Sequence, residues 1–305
     1  MVANELTGSV QKKGTKTVLA TSALLLLSTA YAAPTPDATI GVNASQSSVD
    51  ATESYPSGQI SDVDVGIFAS SKNAVDFVGD NISIVSQNKN SYVAKNDRVI
   101  LPASPDKNAP KSEKDAYYAK VFNIYTEKLN SLNVAIPNRE TSWDDEKYKS
   151  NLNSALNSYI NSERKKVYST GIWAEQGAQV NIGNTSTNSI LIQATNTSEN
   201  SFNNTQSIYL TGNNTGTAVN ILGKNISLIA SNIGIDTDAA GISTYGTVSL
   251  GNESTDHISI SSSSENKDAK SILINGSGSV VLLSKKIATT SQAKNYAYGV
   301  TNNKS

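Results

Sequence analysis

The chain is 305 residues long, contains no cysteine and one histidine, and carries a formal net charge of −1. These counts exclude disulfide scaffolds, zinc–thiolate and iron–sulfur sites and thiol chemistry, and they supply no broad field for nucleic acid or an anionic membrane surface. Ser, Thr and Asn make up about a third of the residues while charged ones are 17%, which fits Asn- and Gly-rich turns joining solvated β faces rather than a highly charged disordered chain.

The N-terminal stretch reads as an export signal. Lys12, Lys13 and Lys16 form a positive flank, Val18 to Ala30 is apolar around Leu24 to Leu27, and Ala30-Tyr31-Ala32 sets small residues for cleavage after Ala32. The apolar run is too short to cross a hydrocarbon layer of roughly 30 Å. The predicted organisation is a signal peptide over 1–32, the start of a β solenoid over 33–95, an inserted helical hairpin over 96–168, and further coils over 169–305.

The first recognisable coil opens with Gly66-Ile67-Phe68-Ala69 and continues from Ala74 to Ser86 as AVDFVGDNISIVS. Val75 and Phe77 alternate with Asp76, and Ile82 and Ile84 flank Ser83, so each short strand sends its aliphatic side chains to one face. Gly79-Asp80-Asn81 between them tolerates the positive φ of a bend.

Charged residues then crowd the stretch between Lys95 and Tyr168. Ser112 is a candidate cap for a helix reaching about Leu132, with Tyr117, Val121, Ile124 and Leu132 as its apolar stripe. Ser142 with Asp145 suggests a second start, striped by Tyr148, Leu152, Leu156 and Tyr159, and Pro137 lies in the connection. Asp144, Asp145 and Glu146 at its beginning and Arg164, Lys165 and Lys166 at its end suit the helix dipole. The pattern predicts an αα-hairpin inserted between the first recognisable coil and the second.

Downstream the same sentence returns. Ala218 to Ala230 reads AVNILGKNISLIA, and weaker copies run through Val180-Asn181-Ile182-Gly183 with Ile190-Leu191-Ile192, through Val248-Ser249-Leu250-Gly251 with Ile258-Ser259-Ile260, and from Val280. Each is preceded by a short apolar element: Gly171-Ile172, Ser207-Ile208, Gly241-Ile242, Ser271-Ile272 and Gly299-Val300. Their apolar anchors are spaced 36, 34, 30 and 28 residues. Three short strands per irregular repeat predict an all-β fold, a right-handed parallel β-helix carrying the helical hairpin. An antiparallel sandwich shares the alternation and is the competing architecture.

The signal peptide, the Asn/Ser/Thr-rich coils and the recurring Gly-Ile-x-Ala, Val-Asn-Ile-Gly and Ile-x-Ile elements together resemble the passenger region of monomeric, pertactin-like autotransporters. The resemblance covers about residues 60–95 and 169–300. It implies transport to the cell surface with the help of an outer-membrane β-barrel translocator, and adhesion as the activity. No barrel-like series of amphipathic strands occurs in the sequence, so the chain is expected to be part of a longer protein.

Catalytic signals are sparse. His257, between Asp256 and Ile258, lacks the serine motif that a triad would need. Asp236 and Asp238 could pair as the carboxylates of a glycoside hydrolase, but suit polar residues in a turn. No cofactor or metal is expected, no enzyme activity is expected, and nucleic acid is not an expected partner. Trp173 and Tyr209 each follow an inward Ile and should point outward on one strand face, one coil apart; they are either ligand contacts or packed under the hairpin. The expected partners are host-cell or matrix glycans and proteins, or a second copy of the chain. A β-helix carbohydrate-active enzyme and an inert spacer are the competing functions.

Overall fold

A computed structural model describes residues 34, 38–88, 99–165, 169–199, 201, 203–211, 216–235 and 237–303. The chain divides into two units, Met1–Tyr31 and Ala32–Ser305, and every described residue belongs to the second. The export signal and its cleavage point at Ala32 lie outside the described residues.

Coil 1 consists of β1 (Ile40–Ala44), β2 (Val49–Asp50) and β3 (Gln59–Val63), with a single helical turn, α1 (Ala51–Ser54), after β2. Coil 2 is β4 (Val65–Ala69), β5 (Ala74–Phe77) and β6 (Asn81–Gln87). Two helices follow, α2 (Lys111–Ser131) and α3 (Asp145–Lys165). Coil 3 is β7 (Thr170–Glu175), β8 (Gln179–Gly183) and β9 (Ser189–Asn196). Coil 4 is β10 (Thr205–Thr211), β11 (Ala218–Leu222) and β12 (Asn225–Asn232). Coil 5 is β13 (Ala239–Thr244), β14 (Thr247–Gly251) and β15 (His257–Ser264). Coil 6 is β16 (Ala269–Asn275), β17 (Ser279–Leu283) and β18 (Lys286–Ala293), and β19 (Ala297–Asn303) begins the next turn.

The first strands of the coils form a seven-stranded sheet A, the second strands a six-stranded sheet B, and the third strands a six-stranded sheet C. Every pairing joins one coil to the next and is parallel. The fold is a parallel β-helix, and the antiparallel alternative is overturned.

Register explains the repeat. Ile67, Ile172, Ile208, Ile242, Ile272 and Val300 stand in one row of sheet A. Val75, Val180, Val219, Val248 and Val280 stand in one row of sheet B. Ile82, Ile190, Ile226, Ile258 and Ile287 do so in sheet C. From Ile67 to Ile272, from Val75 to Val248 and from Ile82 to Ile258 these residues are at most 3% exposed. Burying each contributes roughly 1.5–3 kcal/mol, and only the neighbouring coils supply the surface to bury against.

Gly or Ser before each inward Ile of sheet A also has a steric cause. A Cβ on Gly171 would stand 2.5 Å from Ile192 Cγ2 in sheet C and 2.5 Å from the Ser207 carbonyl oxygen of the coil above. Gly41, Gly66 and Gly241 meet equivalent obstacles. Ser207 and Ser271 occupy this corner with different outcomes. The Ser271 hydroxyl donates to the Thr290 carbonyl at 2.9 Å, whereas the buried Ser207 hydroxyl has no hydrogen-bond partner among the described residues.

Turns between sheets B and C alternate between two forms. In coils 3 and 5, Gly183-Asn184-Thr185-Ser186-Thr187 and Gly251-Asn252-Glu253-Ser254-Thr255 adopt one conformation. Asn184 Oδ1 accepts from the Ser186 amide and Asn252 Oδ1 from the Ser254 amide, each at 2.8 Å. Thr187 and Thr255 then donate to the carbonyls of Gly79 and Gly223 in the shorter turns of coils 2 and 4, again at 2.8 Å. Long turns thus clamp short ones, giving the solenoid a two-coil period.

The hairpin keeps its own core of Tyr117, Val121, Tyr125, Leu129, Leu152 and Leu156, separate from that of the coils. It lies between coils 2 and 3, the first two coils recognised in the sequence, and coil 1 precedes them both. The caps differ from the sequence expectation. Pro110 occupies the N-cap of α2 without a side-chain bond, so Ser112 lies inside the first turn. At α3 it is Asp144 Oδ1 that accepts from the Lys147 amide, at 2.8 Å. Tyr125 and Leu129, rather than Ile124 and Leu132, complete the buried stripe of α2.

Two stability tests follow. Gly171→Val should cost about 1–3 kcal/mol or more by overpacking, while Gly79→Ala, whose Cβ would meet nothing nearer than 3.5 Å, should change stability by less than about 1 kcal/mol. Equal denaturation midpoints for the two variants would refute the corner argument. Ser207→Ala should raise stability by roughly 1 kcal/mol by removing an orphan hydroxyl, and Ser271→Ala should lower it by a similar amount. Urea denaturation reads both signs.

Candidate functional site

In stacked folds the inside of a coil is constrained by its neighbours, and insertions collect in turns on a face free to vary. Here that face is the corner where sheet C passes to sheet A. Asn196 to Thr205, Asn232 to Ala239, Ser264 to Ala269 and Ala293 to Ala297 leave eight, six, four and three residues between strands. The hairpin occupies the same corner, between Gln87 and Thr170. The shrinking spacing seen in the sequence is largely this staircase.

Buried asparagines anchor the longer steps. Asn196 and Asn232, 2% and 1% exposed, close β9 and β12. Asn196 Nδ2 donates to Asn232 Oδ1 at 2.6 Å and to the Ser198 carbonyl at 3.1 Å. Asn232 Nδ2 donates to the Thr237 carbonyl, and its Oδ1 accepts from the Gly234 amide. Asn88 Oδ1 takes the Thr197 amide at 2.7 Å. These side chains satisfy backbone groups that the turns would otherwise leave buried and unpaired.

Charge at the corner is mostly paired. Lys270 Nζ lies 2.7 Å from Asp238 Oδ2 and 3.7 Å from Asp268 Oδ2. Asp238 is therefore held by an ammonium, and Asp236 lies outside the described residues. His257 heads β15 in register with Asn225 and Lys286. Among the described residues no group of three or more His, Cys, Asp or Glu is placed to hold a metal ion.

A groove of about 440 Å³ opens where the steps become short. Ser231, Ser263, Ser264, Glu265, Gln292 and Lys294 line it. Ser231, Ser263 and Gln292 stand in one row of sheet C, and Ser263 Oγ donates to Ser231 Oγ at 3.2 Å. Sequence reasoning missed this site. The falling repeat length was its only trace.

Trp173 and Tyr209 stand opposite each other in adjacent coils, with Phe68 completing the row. Ring centroids are 5.8 Å apart for Phe68 and Trp173 and 5.5 Å for Trp173 and Tyr209. They lie on the face opposite the inward Ile row, yet both are only 3% exposed. Val65, Ala38 and Ile40 share their cluster. These rings are packed in this structure, not presented as an open platform.

Glu175 follows Trp173 at the end of β7 and is buried. Burial pushes its carboxyl above the usual glutamate value, and the hydrogen bond with the Trp173 side chain acts in the opposite direction. On the hairpin, Tyr118 donates to Glu146 at 2.5 Å. That bond raises the phenol to about 12 and lowers the Glu146 carboxyl, with Lys149 assisting the latter.

No protein-family model, curated protein or solved structure matches the chain.

The raised Glu175 pKa fixes a sign. The folded chain holds a proton that the unfolded chain has already released, so stability falls as pH rises from the unfolded value of about 4.3 through the folded one. Glu175→Gln removes that loss. Melting curves should show the variant gaining on the parent across this window and leading it at neutral pH; parallel curves would show that the carboxyl is not destabilised by burial. Tyr118→Phe should let the Glu146 pKa rise toward its ordinary value, as read by NMR titration.

Proposed function

We propose that this chain is the β-helical passenger of an exported, cell-surface protein of the pertactin-like autotransporter type, and that it acts in adhesion. The observation that carries this reading is the division of labour within each coil. The interior rows are uniform, the outward rows of sheets B and C are largely polar, and the largest insertion, the helical hairpin, falls on the C-to-A corner.

Repetition suits adhesion physically. On sheet B, Asn181 Nδ2 donates to Asp76 Oδ1 at 2.8 Å and Asn220 Nδ2 to Asn181 Oδ1 at 3.0 Å. Such cross-coil bonds hold outward amides in fixed positions at strand spacing, about 4.8 Å. Sheet C places Ser227, Ser259 and Ser261 on its outward face. A rigid array of equivalent weak contacts gains avidity by multivalency without any deep pocket. The partners this suits are host-cell or matrix glycans and proteins, or an identical passenger on another cell.

Beads coated with the purified protein give a direct test. They should attach to epithelial monolayers or matrix-coated wells, or cluster with one another, at least several times more than albumin-coated beads. Replacing outward Ser227 and Ser259 by Glu should reduce attachment while leaving the melting temperature within a few degrees. Coated beads indistinguishable from the albumin control in every format would sink the adhesion reading. Export is tested separately, by the N-terminal mass of protein recovered from the periplasm of a Gram-negative host; cleavage after Ala32 is expected.

A further inference from the structure

We infer that the groove lined by Ser231, Ser263, Ser264, Glu265, Gln292 and Lys294 is a binding site for a neutral, hydroxyl-rich glycan chain. The inference rests on the adhesion reading and assigns it a specific contact.

Position is the first argument. The groove lies on the C-to-A corner, beside the step from six residues (Asn232 to Ala239) to four (Ser264 to Ala269). The longer turn is fixed from within by Asn232, and Asn266 Nδ2 ties the next step to the Ile233 carbonyl at 2.8 Å. The Glu265 amide donates to the Asn232 carbonyl at 3.0 Å and the Lys294 amide to the Ser264 carbonyl at 3.2 Å. Both charged side chains therefore spring from backbone held in place on successive coils.

Chemistry is the second. At this corner Lys270 is held within the fold by Asp238 and Asp268. The side chains of Glu265 and Lys294 make no hydrogen bond or ion pair with the described residues, although they border the same groove. Glu265 accepts hydroxyl protons, Lys294 donates to hydroxyl or ring oxygens, and Gln292 does both. One carboxylate and one ammonium leave the groove without net charge, so it neither selects nor rejects by long-range field. A polymer of hydroxyls satisfies that set better than an apolar peptide or a polyanion.

Spacing is the third. Ser231, Ser263 and Gln292 present polar groups one strand spacing apart along the solenoid axis. That interval is close to the advance of one pyranose unit in an extended glycan, so successive sugars meet successive coils.

The test uses isothermal titration and NMR of the whole purified protein with maltohexaose, cellohexaose and mannohexaose, and a hexauronate as charged control. At least one neutral hexasaccharide should bind, with shift changes confined to the groove residues. Glu265→Gln and Lys294→Met should each weaken it about fivefold, and Ser263→Glu should block it, with melting temperatures unchanged. Failure of all three neutral sugars, tighter binding of the hexauronate, or binding indifferent to these variants would overturn the assignment. The bead assay separates the two levels. Attachment that survives all three variants removes the groove and leaves adhesion standing, while sugar binding by a protein whose beads never attach keeps the groove and removes adhesion.

Discussion

A coil of this chain has almost nothing to bury against itself. Its inward Ile and Val are too few to enclose a core, and each strand exposes a full row of backbone donors and acceptors on both edges. Both deficits are removed by the same event, the in-register stacking of a second coil, which pairs the backbone and covers the apolar row at once. Register is accordingly strict. A slip of one residue would carry Ile208 off the row of Ile172 and Ile242 and turn a polar neighbour inward. The glycine corner tightens the constraint further, since Gly171 leaves the room into which Ile192 of sheet C packs.

That constraint decides where the protein is free. Interior positions answer to two neighbouring coils, outward positions on sheets B and C only to their row, and turns chiefly to their own closure. The turns between B and C are less free than they look, because Thr187 and Thr255 tie alternate coils together. The C-to-A corner has no such alternation. It can take eight residues, or three, or a whole helical hairpin, provided that a group such as Asn196 or Asn232 satisfies the backbone at the strand end. Loop closure adds little entropy as such segments lengthen, so diversification costs the ladder almost nothing there.

These rules also explain how much could be seen from sequence. The anchors Ile172, Ile208, Ile242, Ile272 and Val300 were legible because aligned apolar rows force the same residue type to recur. The twin sentences at Ala74 and Ala218 showed the same for sheets B and C. Coil 1 escaped notice because its second strand is only two residues, Val49–Asp50, and the helical turn Ala51–Ser54 replaces the usual Gly-Asn bend. Period-two alternation placed Trp173 and Tyr209 on the outer face but could not tell that this face is buried too, since alternation reports direction and not cover. The helix caps were misplaced by a preference for hydroxyls, where Pro110 and Asp144 do the work. The groove was invisible because its residues come from three coils and matter only as neighbours.

A surface built this way is suited to some interactions and not to others. Its outward hydroxyls and amides are fixed in a row by backbone pairing rather than by packing around a ligand, so little conformational entropy is lost when a partner binds. Each contact still has to displace water, and the net gain per hydrogen bond is small. Affinity on such a face must come from many contacts taken in series, and a partner with a matching repeat can make them all without adapting. A compact small molecule cannot. The staircase corner adds what the flat faces lack, a recess bordered by Glu265 and Lys294 beside Ser263 and Gln292. The physical logic that makes this chain a solenoid thus favours an extended, repetitive partner that lies along the axis and crosses one coil after another.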